Sequence, residues 1–93
     1  MSDRVAAHVR IRGRVQGVCF RWETQQAAMQ NNVHGWVRNR ADGSVEALFE
    51  GDRAAVEAAV AWCRQGPAAS RVDNVEVVWE DDSSEFRSFE ITR

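Results

Sequence analysis

Apolar and polar residues alternate from Val5 to Arg12, and across Gly13–Arg21 that period of two gives way to a helical one. No other feature of the chain constrains its fold as strongly. Val5, Ala7, Val9 and Ile11, interleaved with Ala6, His8, Arg10 and Arg12, predict a half-buried strand. From Trp22 to Asn32 the spacing is helical. Trp22, Gln26, Met29 and Val33 fall on one stripe, and Phe20, Thr24, Ala27, Ala28 and Asn31 on the next. The joint between them reads Gly13-Arg14-Val15-Gln16-Gly17-Val18-Cys19-Phe20-Arg21. A glycine-punctuated turn from strand to helix leaves backbone N–H groups unpaired in one concavity, and the helix N-terminus adds partial positive charge there. Arg21, in the first helical turn, leans back toward that end. The predicted product is a cradle for a compact oxyanion, phosphate above all.

The remaining chain supplies the rest of one domain. Asn31-Asn32 closes the first helix, asparagine tolerating the left-handed conformation. His34 to Arg40 and Ser44 to Gly51 read as strands joined by the turn chemistry of Ala41-Asp42-Gly43. Asp52 is placed to cap a second helix, in which Val56, Ala59, Val60 and Cys63 form an apolar face, and Gly66-Pro67 ends it. Val72 to Glu80 is a fourth strand with Val75, Val77 and Trp79 on one side. The polar run Asp81 to Glu85 is a loop, and Phe86 to Thr92 a last strand using Phe89 and Ile91.

The order β-α-β-β-α-β with a short C-terminal strand predicts an α+β fold. It is a ferredoxin-like split βαβ sandwich, an antiparallel sheet with both helices on one face, formed by residues 1–93 as a single domain. In such a sheet the first two strands run parallel with the third between them. The loop at Gly13–Arg21 and the end of the second strand then share one edge, about 10 Å apart. Asn39 thereby becomes a candidate partner for Arg21.

Composition narrows the class. All twelve basic residues are arginine, and the net charge is −2. Residues 1–40 carry +5 and residues 41–93 carry −7, a distribution that focuses an anion onto one spot rather than binding nucleic acid broadly. The third strand, with Glu46 and Glu50, lacks the aromatic and basic pattern of an RNA-recognition sheet. The chain has no lysine for a nucleotide-binding P-loop and no CxxC for copper. The Cys-x5-Arg spacing of cysteine phosphatases fails at both cysteines, because Gln25 and Ala69 occupy the arginine positions. Cys19 and Cys63 read as free thiols, Cys19 as a tolerated loop residue and His8 as an exposed side chain on the polar face. Tryptophans 22, 36, 62 and 79 read as core or rim packing. No run of about 20 apolar residues is present to span a membrane. The opening Met1-Ser2-Asp3-Arg4 lacks a signal-peptide core. A cytoplasmic monomer is expected.

Gly13 to Arg21 resembles the first signature of the acylphosphatase family: a glycine, then valine-glutamine-glycine-valine, an aromatic residue and arginine. Gly35-Trp36-Val37-Arg38-Asn39 resembles its second. Thr24, Ala28, Gly66-Pro67, Arg71-Val72 and Phe89-Glu90-Ile91 are similar to the family's helices, fourth strand and C-terminus, so the likeness covers nearly the whole chain. Asn31-Asn32-Val33 departs from the usual leucine-glycine-leucine-like helix ending.

The resemblance implies hydrolysis of acyl phosphates to carboxylate and inorganic phosphate, with no metal or other cofactor. It assigns phosphoryl binding to Arg21 together with backbone N–H groups of Gln16, Gly17, Val18, Cys19 and Phe20. Asn39 would orient the attacking water. Arg14 and Arg38 occupy variable positions, where they would enlarge the positive field. The competing expectation is a non-enzymatic phosphate-binding regulatory or interaction module built on the same cradle.

Overall fold

Alternation and helical spacing resolve into seven elements in a computed structural model, which describes residues 3–92. They are β1 (Arg4–Arg14), α1 (Phe20–Gln30), β2 (His34–Asn39), β3 (Val45–Asp52), α2 (Arg53–Gln65), β4 (Arg71–Asp81) and β5 (Phe89–Ile91). Met1 and Ser2 of the expected opening, and Arg93, lie outside the described residues. The sheet order is β4-β1-β3-β2-β5. β3 is antiparallel to both β1 and β2, so those two run parallel and end at the same edge.

An antiparallel sheet is the sequence expectation, and the last strand departs from it. β5 pairs parallel with β2, Gly35 opposite Phe89 and Val37 opposite Ile91, and it begins at Phe89 rather than Phe86. Chain reach explains the direction. β4 finishes beside the start of β1, with Val5 opposite Asp81. From there residues 82–88 must cross four strand spacings, about 19 Å. Seven residues span at most about 24 Å. They reach the start of β2 with slack to spare and its far end only when almost fully extended, which favours a β5 that runs alongside β2.

The core is the helix-side face of the sheet. Val9, Ile11, Val37, Val45, Ala47 and Phe49 meet Phe20 and Ala28 of α1 and Val56, Ala59, Val60 and Cys63 of α2. Each fully buried large side chain contributes about 1.5–3 kcal/mol. The face expected for α2 is the one buried. Asp52 takes the N-cap position but makes no side-chain capping bond; Arg4 approaches it at 3.9 Å instead. On α1 the buried stripe is Phe20, Thr24, Ala27 and Ala28, whose small residues let the helix approach the sheet closely. Trp22 and Met29 of the other stripe are 59% and 58% exposed. Of the four tryptophans read as core or rim packing, Trp22 and Trp79 (44% exposed) take rim positions. Asn32 takes the left-handed conformation at the end of α1 (φ 56°).

The opposite face carries no helix, yet Glu46 and Glu50 are buried on it. His8, Arg38 and Arg40 bind the Glu46 carboxylate, and Ser83 donates its N–H (2.9 Å) and hydroxyl (2.6 Å) to Glu50. His8 is therefore half-buried and hydrogen-bonded rather than simply exposed.

Candidate active site

Val15, only 1% exposed, anchors the loop that follows β1. Beyond it Gly17 (φ 76°) and Cys19 (φ 60°) are both left-handed, which turns the chain sharply before α1 starts at Phe20. Glycine adopts that conformation freely, whereas cysteine is strained by it. Cys19 stands at the N-cap and accepts the first helical bond from the Glu23 N–H (3.0 Å) without capping through its own side chain. The N–H groups of residues 17–22 find no hydrogen-bond acceptor among the described residues. Successive free amides at a turn and a helix N-terminus form a nest suited to an anion.

This loop meets the end of β2 at a concavity of about 340 Å³. Gly17, Cys19, Phe20 and Arg21 line it from one side and Asn39 from the other. Arg21 and Asn39, 18 positions apart in the chain, thus border one space. Among the described residues Arg21 is the only charged one in the lining. Val15, Trp22 and Ile91 complete the wall. Those three escaped the sequence reading. The signal that was available for Ile91 was its place on the same strand face as Phe89, and for Trp22 its adjacency to Arg21.

Two of the expected phosphate-binding residues sit elsewhere as side chains. Val18 packs against the core. The Gln16 amide donates to the carbonyl oxygens of Arg40 (2.7 Å) and Ser44 (2.9 Å), fastening the loop to the β2–β3 hairpin. Asp42 braces that hairpin from within. The Ser44 hydroxyl (2.6 Å) and N–H (3.0 Å) donate to it and hold its carboxyl down at about 2, with Arg10 and Arg12 adding to the effect.

Arg38 does not enlarge the positive field of the concavity. Strand alternation turns it to the opposite face, where it donates to Glu46 at 2.9 Å and lies over Trp36, 4.9 Å from the ring centre. Arg40 donates to the same Glu46 oxygen at 3.0 Å. Burial pushes the Glu46 carboxyl up, but the hydrogen bonds from Arg38 and His8 outweigh burial and hold it below the usual carboxylate range. Arg14 is exposed and lies outside the lining of the concavity. Cys63, buried in α2, has its thiol pushed up to about 12 by burial. No cluster of three His, Cys, Asp or Glu is placed to hold a metal ion among the described residues, and no helix there is long and apolar enough to cross a membrane.

Fold and site together define a small ferredoxin-like domain whose working edge joins a strand-to-helix loop to the end of a parallel strand two positions away. The acylphosphatase family model matches residues 7–91. The acylphosphatase of Pelotomaculum thermopropionicum is 54% identical over 89 residues, covering 96% of this chain and 97% of the relative. That of Thermococcus kodakarensis is 58% identical over 78 residues, covering 84% and 86%. The crystal structure of acylphosphatase from Bacillus subtilis superposes with a TM-score of 0.92 at 34% identity, covering 96% of this chain and 99% of that one. The chain belongs to the acylphosphatase family.

Proposed function

We propose that this protein hydrolyses acyl phosphates, binding the phosphoryl group with Arg21 and the amides of residues 16–20 and orienting the attacking water with Asn39. The observation that carries this is the single concavity lined by both Arg21 and Asn39. Water oxygen forms a new bond to phosphorus while the bond from phosphorus to the carboxylate oxygen breaks. The products are carboxylate and inorganic phosphate, and the water's proton passes to a phosphate oxygen. The transition state is loose, with charge on the equatorial oxygens, so positioned donors supply most of the stabilisation. A carboxylate leaves readily, which lowers the demand for a strong general base. The enzyme acts as a monomeric, single-domain cytoplasmic protein in this reading, in keeping with its unpaired Cys19 and Cys63.

The test is ultraviolet or colorimetric turnover of benzoyl phosphate with a chelator present. Expected is steady hydrolysis inhibited competitively by inorganic phosphate. Phosphate binding without turnover would establish the non-enzymatic anion module instead.

A further inference from the structure

Five large apolar side chains are well exposed among the described residues: Trp22, Met29, Val78, Trp79 and Ile91. Two of them, Trp22 (59%) and Ile91 (38%), border the same concavity as Arg21 and Asn39. They arrive there from separate elements. Trp22 follows Arg21 in the first turn of α1. Ile91 is delivered by the parallel pairing of β5, where it stands opposite Val37 and the Thr92 N–H donates to the Val37 carbonyl at 2.8 Å. Asn39 lies two residues beyond Val37, hence on the same face.

A phosphate dianion gains nothing from an indole or a sec-butyl group, since its oxygens need donors and positive charge. Exposed apolar area of this size is worth covering, at roughly 25 cal/mol per Å². What covers it must be attached to the phosphoryl group. Among the described residues the rest of the lining, Val15, Phe20, Trp22 and Ile91 with Gly17, Cys19 and Asn39, is uncharged, which suits an uncharged group beside the phosphoryl.

We infer that Trp22 and Ile91 form an apolar rim that selects the acyl half of the substrate. The favoured class is the acyl phosphate whose acyl group is uncharged and apolar, an aryl or a branched or long alkyl chain. Acetyl and carbamoyl groups offer less apolar surface for Trp22 and Ile91 to cover. This inference rests on the hydrolytic reading for its substrate, but not for its binding geometry. Trp22 also borders the groove between the helices with Gln26 and Trp62. A role confined to that groove would alter stability without altering selectivity.

The experiment measures kcat/KM for benzoyl and acetyl phosphate in the wild type, Trp22→Ala, Trp22→Phe, Ile91→Ala and the control Met29→Ala. In parallel, calorimetry measures binding of phenylphosphonate and methylphosphonate. The wild type is expected to favour the aryl member of each pair by about tenfold or more. Trp22→Ala and Ile91→Ala should shrink that ratio severalfold, while Trp22→Phe retains most of it and Met29→Ala all of it. An equal fall for both acyl phosphates, or an aryl preference untouched by Trp22→Ala, would overturn the rim. If no acyl phosphate is hydrolysed but the phosphonate preference persists and depends on Trp22, the rim stands and the hydrolytic reading fails.

Discussion

Gln16 is fastened to Arg40, the residue after Asn39: its side-chain amide donates to the Arg40 carbonyl at 2.7 Å and to the Ser44 carbonyl at 2.9 Å. One side chain thus couples the two halves of the site. On the far face of the sheet Glu46 holds Arg38 and Arg40, the neighbours of Asn39 on either side. Asn39 is bracketed by residues that are each tied down.

Gln16→Ala is expected to lower kcat about 10–100-fold, because misplacing a reacting group by an ångström is costly. The inhibition constant for inorganic phosphate should move less than about threefold. Steady-state kinetics with phosphate inhibition checks this split. Equal losses in both quantities would mean that the loop had collapsed rather than lost its register against β2.

Arg21→Ala and Asn39→Ala should fail differently. Loss of Arg21 removes the only charge that the described residues place in the lining, so turnover should fall by about 10³ or more and phosphate should cease to inhibit. Loss of Asn39 should cost about 10²–10³ in kcat with phosphate affinity retained. Kinetics on both variants decides the matter; an Asn39→Ala enzyme of near-normal rate would refute its assignment to water.

Glu46→Gln should destabilise the protein by about 1–3 kcal/mol at neutral pH, since it removes charge-assisted bonds to Arg38, Arg40 and His8. The folded carboxyl lies below its ordinary value of 4.5. The unfolded chain therefore takes up the proton first as pH falls. The stabilisation is whole above about pH 4.5 and is lost as pH drops through the folded value. Urea melts of both proteins from pH 7 to pH 3 should show the gap between them closing on the acid side.

Gly35→Ala adds collision to the strain of a positive φ (+136°), whereas Gly17→Ala carries strain alone. A Cβ on Gly35 would stand 1.8 Å from the Leu48 carbonyl oxygen in the neighbouring strand, where backbone cannot yield. The expected cost is about 3 kcal/mol or more. A Cβ on Gly17 meets nothing within 4 Å, and only its φ of +76° is unfavourable. About 1–2 kcal/mol is expected there, with the larger effect on activity through the loop. Denaturant unfolding together with an activity assay distinguishes the two.

Much of the fold was legible before any coordinates. Alternation in β1 and the face Val56, Ala59, Val60 and Cys63 in α2 were read correctly, because side-chain period follows directly from local backbone geometry. The sharp strand-to-helix turn was legible for the same local reason, as glycine spacing and the start of a helix lie within nine residues. Asn39 needed two further steps, the parallel relation of β1 and β2 and the family resemblance. The period changes at Phe20 and α1 begins there, since the left-handed Cys19 ends the loop and Phe20 is already helical.

Element type, the buried face of α2 and the position of the strand-to-helix loop belong to the chain's local order, where neighbouring residues compete only with one another. The direction of β5, the outward Trp22, the burial of Glu46 beneath three hydrogen-bonding partners and the grip of Gln16 on the hairpin belong to tertiary structure alone. Each joins residues whose separation along the chain carries no energetic signal until the sheet has assembled. Ile91 shows the division most plainly: its apolar character and strand face are local facts, but only the parallel pairing of β5 with β2 put it on the same concavity as Asn39.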